Sequence, residues 1–124
     1  MSRRLSTAER LDRDVLEADF QSQVLQLAGI LRWRRAHFRP GLNRRGEWRT
    51  AVAGDGSGFP DLILVRGERV LAVELKSERG RTTPEQEEWL AAFAGAGVEA
   101  CVWRPSDFRS GLIQRCLSST GKRP

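Results

Sequence analysis

Residues 58–76 have the sequence GFPDLILVRGERVLAVELK, and this stretch decides the fold. It holds two short runs rich in Val, Ile and Leu, residues 62–65 and 70–75, separated by the polar residues 66–69. Runs of this length around a glycine-containing turn are typical of a β-hairpin. We therefore expect two adjacent antiparallel strands.

Two carboxylates and a lysine meet at the open end of this predicted hairpin. Side chains alternate along a strand, so Glu74 and Lys76 share one face while Leu75 points to the other. Asp61, at the start of the first strand, lies opposite the end of the second. A bare E-x-K triplet is more often the solvated face of an edge strand, but Pro60-Asp61 one hairpin earlier reverses this preference in favour of a functional site.

This set of groups suits phosphodiester hydrolysis assisted by a metal ion. Mg²⁺ is usually held by one or two carboxylates, with water and substrate phosphate completing its shell. The ion polarises the phosphate and lowers the pKa of a bound water, while an ammonium stabilises the charge that builds up at phosphorus. Of the 21 basic residues only Lys76 and Lys122 are lysines, so a compact ammonium stands in the body of the chain only at the predicted site.

The sequence resembles the VRR-NUC domains of the PD-(D/E)XK nuclease superfamily, small domains that occur in phages and as modules of repair nucleases. The resemblance covers roughly residues 14–110 and rests on five short pieces in a specific order and spacing. The pieces are LEADF (16–20), GFPDL (58–62), ELKS (74–77), QEEW (86–89) and VWRPSD (102–107).

The resemblance implies a restriction-endonuclease-like α/β fold and a divalent-metal DNA endonuclease that leaves a 5′-phosphate and a 3′-hydroxyl. Asp61, Glu74 and Lys76 match the catalytic core, and the Leu75 carbonyl would help to hold the metal. The expected cofactor is Mg²⁺, with Mn²⁺ able to substitute. An acidic residue on the first helix would be an accessory metal ligand.

Length and charge restrict the class of protein. A chain of 124 residues forms one domain, which we place at residues 1–124 with a core at about 8–118 and frayed ends. A net charge of +5 and a pI of about 10.5 favour DNA as the partner over a membrane, because no basic amphipathic helix with a bulky apolar face is present. We expect a cytoplasmic protein without a small-molecule cofactor, in the bacterial host cell if it is phage-encoded.

The first predicted helix runs from about residue 8 or 11 to about residue 31. Its apolar stripe contains Phe20, Val24 and Ala28, and Glu17 falls on the same face of a 3.6-residue helix. Asp19 is turned by about 200° and should face water. We therefore assign the accessory metal ligand to Glu17, unless the helix begins later and Glu17 is only a charge in its first turn.

Basic and aromatic residues mark a candidate DNA-binding surface. The stretch from 40 to 58 is rich in Gly and Arg, and arginines next to a tryptophan can pair with phosphates while the ring stacks on a base. A solvated loop without a role is the alternative. The residues assigned to DNA binding are Arg44, Arg45, Trp48, Arg49, Arg79 and Arg81.

A second helix should begin after Thr83, because Thr83 is a typical N-cap, Pro84 suits the first helical position and Gln86 completes a capping box. Gln86 is also on the face of the helix that we expect to look towards the site. Two roles therefore remain open for Gln86: a catalytic group next to the metal, or a capping partner alone.

The last predicted elements are a core strand at 98–103 and one terminal helix beginning at about 104–107, with Leu112, Ile113, Cys116 and Leu117 as its apolar side. The complete order is α-β-β-β-α-β-α around a mixed sheet. Cys101 and Cys116 lack metal-ligand spacing and are interpreted as small apolar residues.

Three functions fit these features. The first is a structure-selective, homodimeric endonuclease acting on junctions or branched DNA in replication, recombination or repair, since two symmetric sites can address two strands. The second is a sequence-specific, restriction-like enzyme, which a short chain with little surface for base recognition disfavours. The third is a non-catalytic DNA-binding protein, which gains nothing from carboxylates placed near phosphates.

Overall fold

In the computed structural model, which describes residues 6–38, 41–42, 48–49 and 54–120, helices and strands follow the predicted order with three additions. The elements are α1 (Thr7–Ile30), β1 (Arg34–His37), β2 (Gly41–Leu42), β3 (Trp48–Arg49), β4 (Leu62–Arg66), β5 (Arg69–Leu75), α2 (Pro84–Gly95), β6 (Glu99–Trp103), α3 (Pro105–Arg109) and α4 (Leu112–Ser118).

The main sheet has four strands in the order β1-β4-β5-β6. Strands β1, β4 and β5 are antiparallel neighbours. Helix α2 then connects β5 to β6, which pairs in parallel with β5. Such a crossover needs about a dozen residues, which α2 supplies. The result is the predicted restriction-endonuclease-like α/β fold, with a mixed sheet between helices.

The central hairpin is tighter than we predicted. Residues 66–69 were expected to form the turn, but Arg66 and Arg69 pair with each other as the last residues of β4 and β5. Only Gly67 and Glu68 remain in the turn, and Gly67 has φ +59°. A two-residue hairpin turn of type II′ requires a positive φ at its first central position, where glycine is without strain.

Helix α1 packs on the sheet in the predicted register. Phe20, Val24 and Ala28 are buried, while Asp19 is exposed and Glu17 is half-buried. The stripe therefore gave the correct face, as expected when hydrophobic residues recur with helical period. Although α1 has 24 residues, no helix in the described part of the chain is both long enough and apolar enough to cross a membrane.

The prediction of one terminal helix was wrong. Gly111 has φ +84° and separates α3 from α4, so the chain changes direction there. Ile113, Cys116 and Leu117 are buried as predicted, whereas Leu112 is 38% exposed. The sequence pattern could not show the break, because isolated glycines also occur within helices.

The stretch from 40 to 58 was expected to be without secondary structure, and this expectation also needs correction. Gly41–Leu42 and Trp48–Arg49 pair as a short antiparallel ribbon. The predicted DNA contacts Arg44 and Arg45 lie outside the described residues, and the side chains of Trp48 and Arg49 do so too.

The turn end of the hairpin carries a set of residues that we call the arginine cluster: Trp33, Arg66, Arg69 and Glu99. Arg69 is 2% exposed and forms two hydrogen bonds to the Glu99 carboxylate, at 2.8 and 2.9 Å. Both guanidinium groups lie over the Trp33 ring, at 4.5 Å for Arg66 and 5.1 Å for Arg69.

The arginine cluster also holds the end of α4. Arg69 donates to the carbonyls of Cys116 and Ser119, and Arg66 donates to those of Leu31, Leu117 and Ser119. The Trp33 indole donates to the Leu117 carbonyl at 3.0 Å. The last carbonyls of a helix need such donors, so the cluster stabilises the docking of α4 on the sheet.

Candidate active site

The open end of the hairpin brings Asp61 against the last residues of β5. The last residue pair between β4 and β5 there is Leu62 with Val73. Beyond it, the Asp61 carboxylate accepts a hydrogen bond at 2.8 Å from the backbone N–H of Leu75. The side chain thereby takes the place of a backbone partner and is fixed next to Glu74.

Glu74 is buried at this point, with an exposure of only 3%. Its Oε1 accepts a hydrogen bond at 3.2 Å from Gln86 Nε2 and lies 3.9 Å from the Lys76 ammonium. Within the described part of the chain, no donor reaches its Oε2. A buried oxygen without a partner is rare in folded proteins and calls for an explanation.

The electrostatics of Glu74 agree with this geometry. Burial raises the pKa of the Glu74 carboxyl to about 8, and the negative charge of Asp61 acts in the same direction. Lys76 lowers the pKa but offsets only part of the shift. Two neighbouring carboxylates in a buried place resist being charged together unless a cation lies between them.

The two carboxylates fit a divalent metal ion. Asp61 keeps one oxygen beyond the one that accepts from Leu75, and Glu74 has the Oε2 atom without a donor. One or two carboxylates with water and phosphate are the usual ligands of Mg²⁺. Across the described residues there is no preformed group of three or more His, Cys, Asp or Glu side chains.

Gln86 is the predicted capping partner and also contacts Glu74, while its catalytic role stays a prediction. Its Oε1 accepts from the backbone N–H of Thr83 at 2.8 Å, and its backbone N–H donates to the Thr83 hydroxyl at 3.2 Å, which completes the predicted capping box. Since the oxygen of the amide is held by Thr83, its NH₂ group points at Glu74. The helix cap thus orients a hydrogen-bond donor towards the site.

Gly58 explains how the segment before Asp61 approaches α2 so closely. It has φ +80°, and a Cβ atom there would lie 2.6 Å from the backbone carbon of Glu85 and 2.7 Å from Gln86 N. Only glycine fits a left-handed position in such contact. The next residue, Phe59, packs edge-on against Trp89 with ring centroids 5.0 Å apart. These contacts fix Asp61 relative to Gln86.

Glu17, Leu75 and Lys76 line the same small pocket, of about 250 Å³. Gln21, one turn after Glu17 on α1, also lines it and was missed in the sequence. The i, i+4 spacing from Glu17 is the signal that would have identified it. The structure thus places Glu17, but not Asp19, next to Lys76 in this pocket.

The segment after Lys76 is held by a second residue that the sequence did not single out. Arg104 donates to the carbonyls of Ser77 and Gly80, at 2.5 and 2.6 Å. Arg79 and Arg81 on the same segment are exposed. Arg104 lies within the VWRPSD piece, but only the tertiary structure shows its contact with a segment more than 20 residues earlier.

A restriction-endonuclease-like fold with two carboxylates and a lysine at the end of its central hairpin defines the PD-(D/E)XK class of nucleases. Within that class, the VRR-NUC domain family matches residues 11–107. The chain belongs to this family, and is a nuclease domain by that membership.

Two solved structures are similar to this fold. A VRR_NUC domain protein has a TM-score of 0.55 and 23% sequence identity, and the match covers 86% of this chain and 97% of that one. The Holliday junction resolvase Hjc of Archaeoglobus fulgidus has a TM-score of 0.39 and 22% identity, covering 73% of this chain and 66% of that one. The first likeness supports the fold; the second is too distant to carry an argument.

One curated protein shares a segment with this chain. A Fanconi-associated nuclease 1 homolog of Caenorhabditis elegans is 42% identical over 59 residues. These residues are 46% of this chain but only 7% of that protein. The chain therefore corresponds to a small part of this relative.

Proposed function

We propose that this protein is a divalent-metal-dependent DNA endonuclease that recognises branched or junction DNA by its shape. The observation that carries the proposal is the buried Glu74 Oε2 atom, which has no donor in the described structure and lies beside a second carboxylate. A protein that only binds DNA would place negative charge near phosphates to no benefit. A cation between the carboxylates and a phosphate removes the conflict.

Asp61 and Glu74 would hold the metal ion, with help from the Leu75 carbonyl and, through water, from Glu17. We propose Mg²⁺ as the ion, with Mn²⁺ as a substitute, because hard oxygen ligands suit both. The bound ion supplies Lewis acidity at the phosphate and a water of lowered pKa. Leu75 N–H keeps Asp61 in place for this role, and Gln86 does the same for Glu74.

Lys76 would orient the attacking water and stabilise the charge that develops at phosphorus. Its ammonium is held near Glu74 Oε1 at 3.9 Å, and its side chain is 18% exposed, so it faces both the carboxylates and the substrate side. Donors fixed in place before the reaction stabilise such charge at little cost in reorganisation. As the family resemblance implies, we expect hydrolysis to leave a 5′-phosphate and a 3′-hydroxyl.

The positive net charge and the small size of the protein support recognition of DNA by its shape. The net charge is +5, and exposed Arg79 and Arg81 flank the site. With one small domain, few side chains are available for base edges, whereas phosphate contacts need only charge and spacing. We propose that Arg44, Arg45, Trp48 and Arg49 extend this surface and that a homodimer presents two sites. The nuclease named as a relative is consistent with a role in DNA repair.

Cleavage of labelled duplex, nicked, flap and four-way-junction DNA, with Mg²⁺ or with EDTA, tests the proposal. We expect cuts in the branched substrates only when Mg²⁺ is present, and new ends that ligase accepts because they carry a 5′-phosphate. Lys76→Arg is the most informative variant, because it keeps the positive charge and arginine occupies most other basic positions of this chain. We still expect it to lose cleavage, since a planar guanidinium cannot replace a compact ammonium at this site. Cleavage in EDTA, or equal cleavage of plain duplex, contradicts the proposal.

A further inference from the structure

A second cleft lies beside the candidate active site, between α1, the segment 77–79 and α3. It encloses about 600 Å³, a size typical of ligand-binding clefts. Glu17, Phe20 and Ser77 line both this cleft and the small pocket that contains Lys76. The cleft therefore adjoins the pocket that contains Lys76.

The walls of the cleft are largely apolar. Phe20 and Phe108 belong to or pack against the core, and Pro105 lies beside them. Leu16 stands at the rim with 67% of its surface exposed. An apolar ring or chain that enters the cleft is therefore met by apolar side chains of both helices.

The charges around the cleft disfavour a phosphate inside it. Glu17, Asp19 and Glu78 line the cleft, against Arg79 and Arg109. Arg109 is paired with Glu78 at 3.1 Å, so its charge is already balanced. Arg79, which is exposed, remains to attract a phosphate at the rim. The cleft thus suits a flat, uncharged group attached to a phosphate backbone.

We propose that this cleft receives an unpaired nucleobase of the DNA strand whose neighbouring phosphodiester lies at Lys76. Every base has an apolar face, so stacking in the cleft does not depend on sequence, and the polar edge of the base meets Gln23 and Asp19 at the wall. The substrate class is then DNA with an unpaired segment next to the cut, because a base inside a duplex is not available. The inference rests on the proposed function and narrows its substrate.

The test compares two DNA ligands by fluorescence anisotropy in EDTA, where no cleavage occurs. Both have the same duplex arms and the same unpaired strand, but one carries a single abasic nucleotide, moved stepwise through that strand. The number of phosphates is equal, so any difference in affinity comes from the base. We expect at least one position at which the abasic ligand binds the wild-type protein about tenfold more weakly, a loss within the range for one stacked base.

Leu16→Ala and Phe108→Leu should abolish this preference for the base, since the first removes the rim and the second removes a ring while keeping the core filled. The matched control is Ile30→Ala, which truncates a residue that is 75% exposed on the same helix but does not line the cleft. Ile30→Ala should keep the full preference. Thermal unfolding of all three variants checks that each is folded.

Two results overturn the inference. Equal affinity for both ligands at every position of the abasic nucleotide shows that no base enters the cleft. Loss of self-association in Leu16→Ala, measured by sedimentation velocity, assigns the cleft to a second copy of the chain instead. Since binding is measured without metal, a wild-type protein that cleaves nothing but still prefers the base refutes the proposed catalysis and leaves this inference standing.

Discussion

The two ends of the β4–β5 hairpin both bury an ionisable group, but the chain supplies hydrogen-bond partners differently at each end. At the turn end, Arg69 is 2% exposed and finds acceptors in Glu99 and in the carbonyls at the end of α4. At the open end, Glu74 is 3% exposed, yet its Oε2 has no donor among the described residues and its pKa is raised to about 8.

We interpret this difference as one between a structural group, Arg69, and a proposed functional group, Glu74. A buried charge whose partners are all supplied by the chain contributes to the fold or to its uniqueness. A buried ionisable group with an oxygen that no donor reaches is only partly satisfied by the fold, and such groups concentrate at functional sites. Arg69 and Glu74 are buried to nearly the same extent. They differ in whether every polar atom of the side chain has a hydrogen-bond partner.

The largest expected effect is on catalysis at the open end. Glu74→Gln, Asp61→Asn and Lys76→Ala should each lower the cleavage rate by about 10²- to 10³-fold or more. Asn at position 61 retains an oxygen that accepts from Leu75 N–H, so the fold should be kept. Single-turnover cleavage of the preferred DNA measures the effect, with the exposed turn variant Glu68→Gln as the control. Near-wild-type turnover in any of the three variants would remove that residue from the site.

The next effect is on stability at the turn end. Arg69→Met removes the donor of the Glu99 carboxylate and of the Cys116 carbonyl, while the Ser119 carbonyl keeps its bond from Arg66. The free energy of unfolding should therefore fall by about 3 kcal/mol. Urea unfolding measures this, and Arg34→Met, which changes an exposed arginine of β1, should have little effect. At a temperature where Arg69→Met is folded, its cleavage rate should match wild type. A stable Arg69→Met protein that has lost activity would reverse the assignment of the two ends.

The free energy of unfolding should depend on pH through Glu74 at the open end of the hairpin. The pKa of Glu74 is raised from 4.5 to about 8 in the folded protein, so the folded state binds more protons than the unfolded state between these values. The free energy of unfolding in EDTA should therefore fall as the pH rises from 5 to 8.

The side chain of Gln in Glu74→Gln cannot ionise, so the free energy of unfolding of this variant should fall less between pH 5 and 8. In the wild type, saturating Mg²⁺ should reduce the fall, because the ion compensates the negative charge of Glu74. Urea unfolding at several pH values gives the difference between wild type and variant. If the two proteins lose stability in parallel from pH 5 to 8, Glu74 is not the group that resists ionisation.

The smallest effect concerns arginines outside the hairpin. Exposed Arg79 and Arg81, unlike Arg66 and Arg69, have the accessibility that phosphate contacts require. Replacing both by alanine should flatten the slope of log affinity against log salt concentration by about 1 to 2 units on duplex DNA, while the unfolding temperature stays the same. An unchanged slope would place the phosphate-binding surface elsewhere on the chain.

Local sequence signals predicted those parts of the fold that depend on neighbours in the chain. The hairpin, the register of α1 and the capping box of Thr83 and Gln86 all follow from alternation, helical period or residue type within a few positions. The convergence of Asp61, Glu74 and Lys76 followed from the hairpin, because its two strands are adjacent in sequence. Their catalytic roles remain predictions.

The rest depends on contacts between distant residues or on backbone angles. The arginine cluster joins Trp33, Arg69 and Glu99 with the end of α4 across up to 84 residues, and nothing near Arg69 in the sequence indicates it. The break at Gly111 depends on a φ of +84°, which no pattern of apolar residues specifies. Gln86 could be placed on the correct face, but its bond to Glu74 depends on how closely α2 approaches β5.

Binding of Mn²⁺ at pH 7 tests the central claim most directly, namely that Glu74, whose Oε2 has no donor among the described residues, is a metal ligand. Titration calorimetry in buffers of different ionisation enthalpy gives both affinity and proton release. Since the pKa of Glu74 is about 8 without metal, wild type and Glu68→Gln should bind the ion with release of a proton, and Glu74→Gln should bind it far more weakly with no release. Equal binding and equal proton release in Glu74→Gln and Glu68→Gln would contradict the claim.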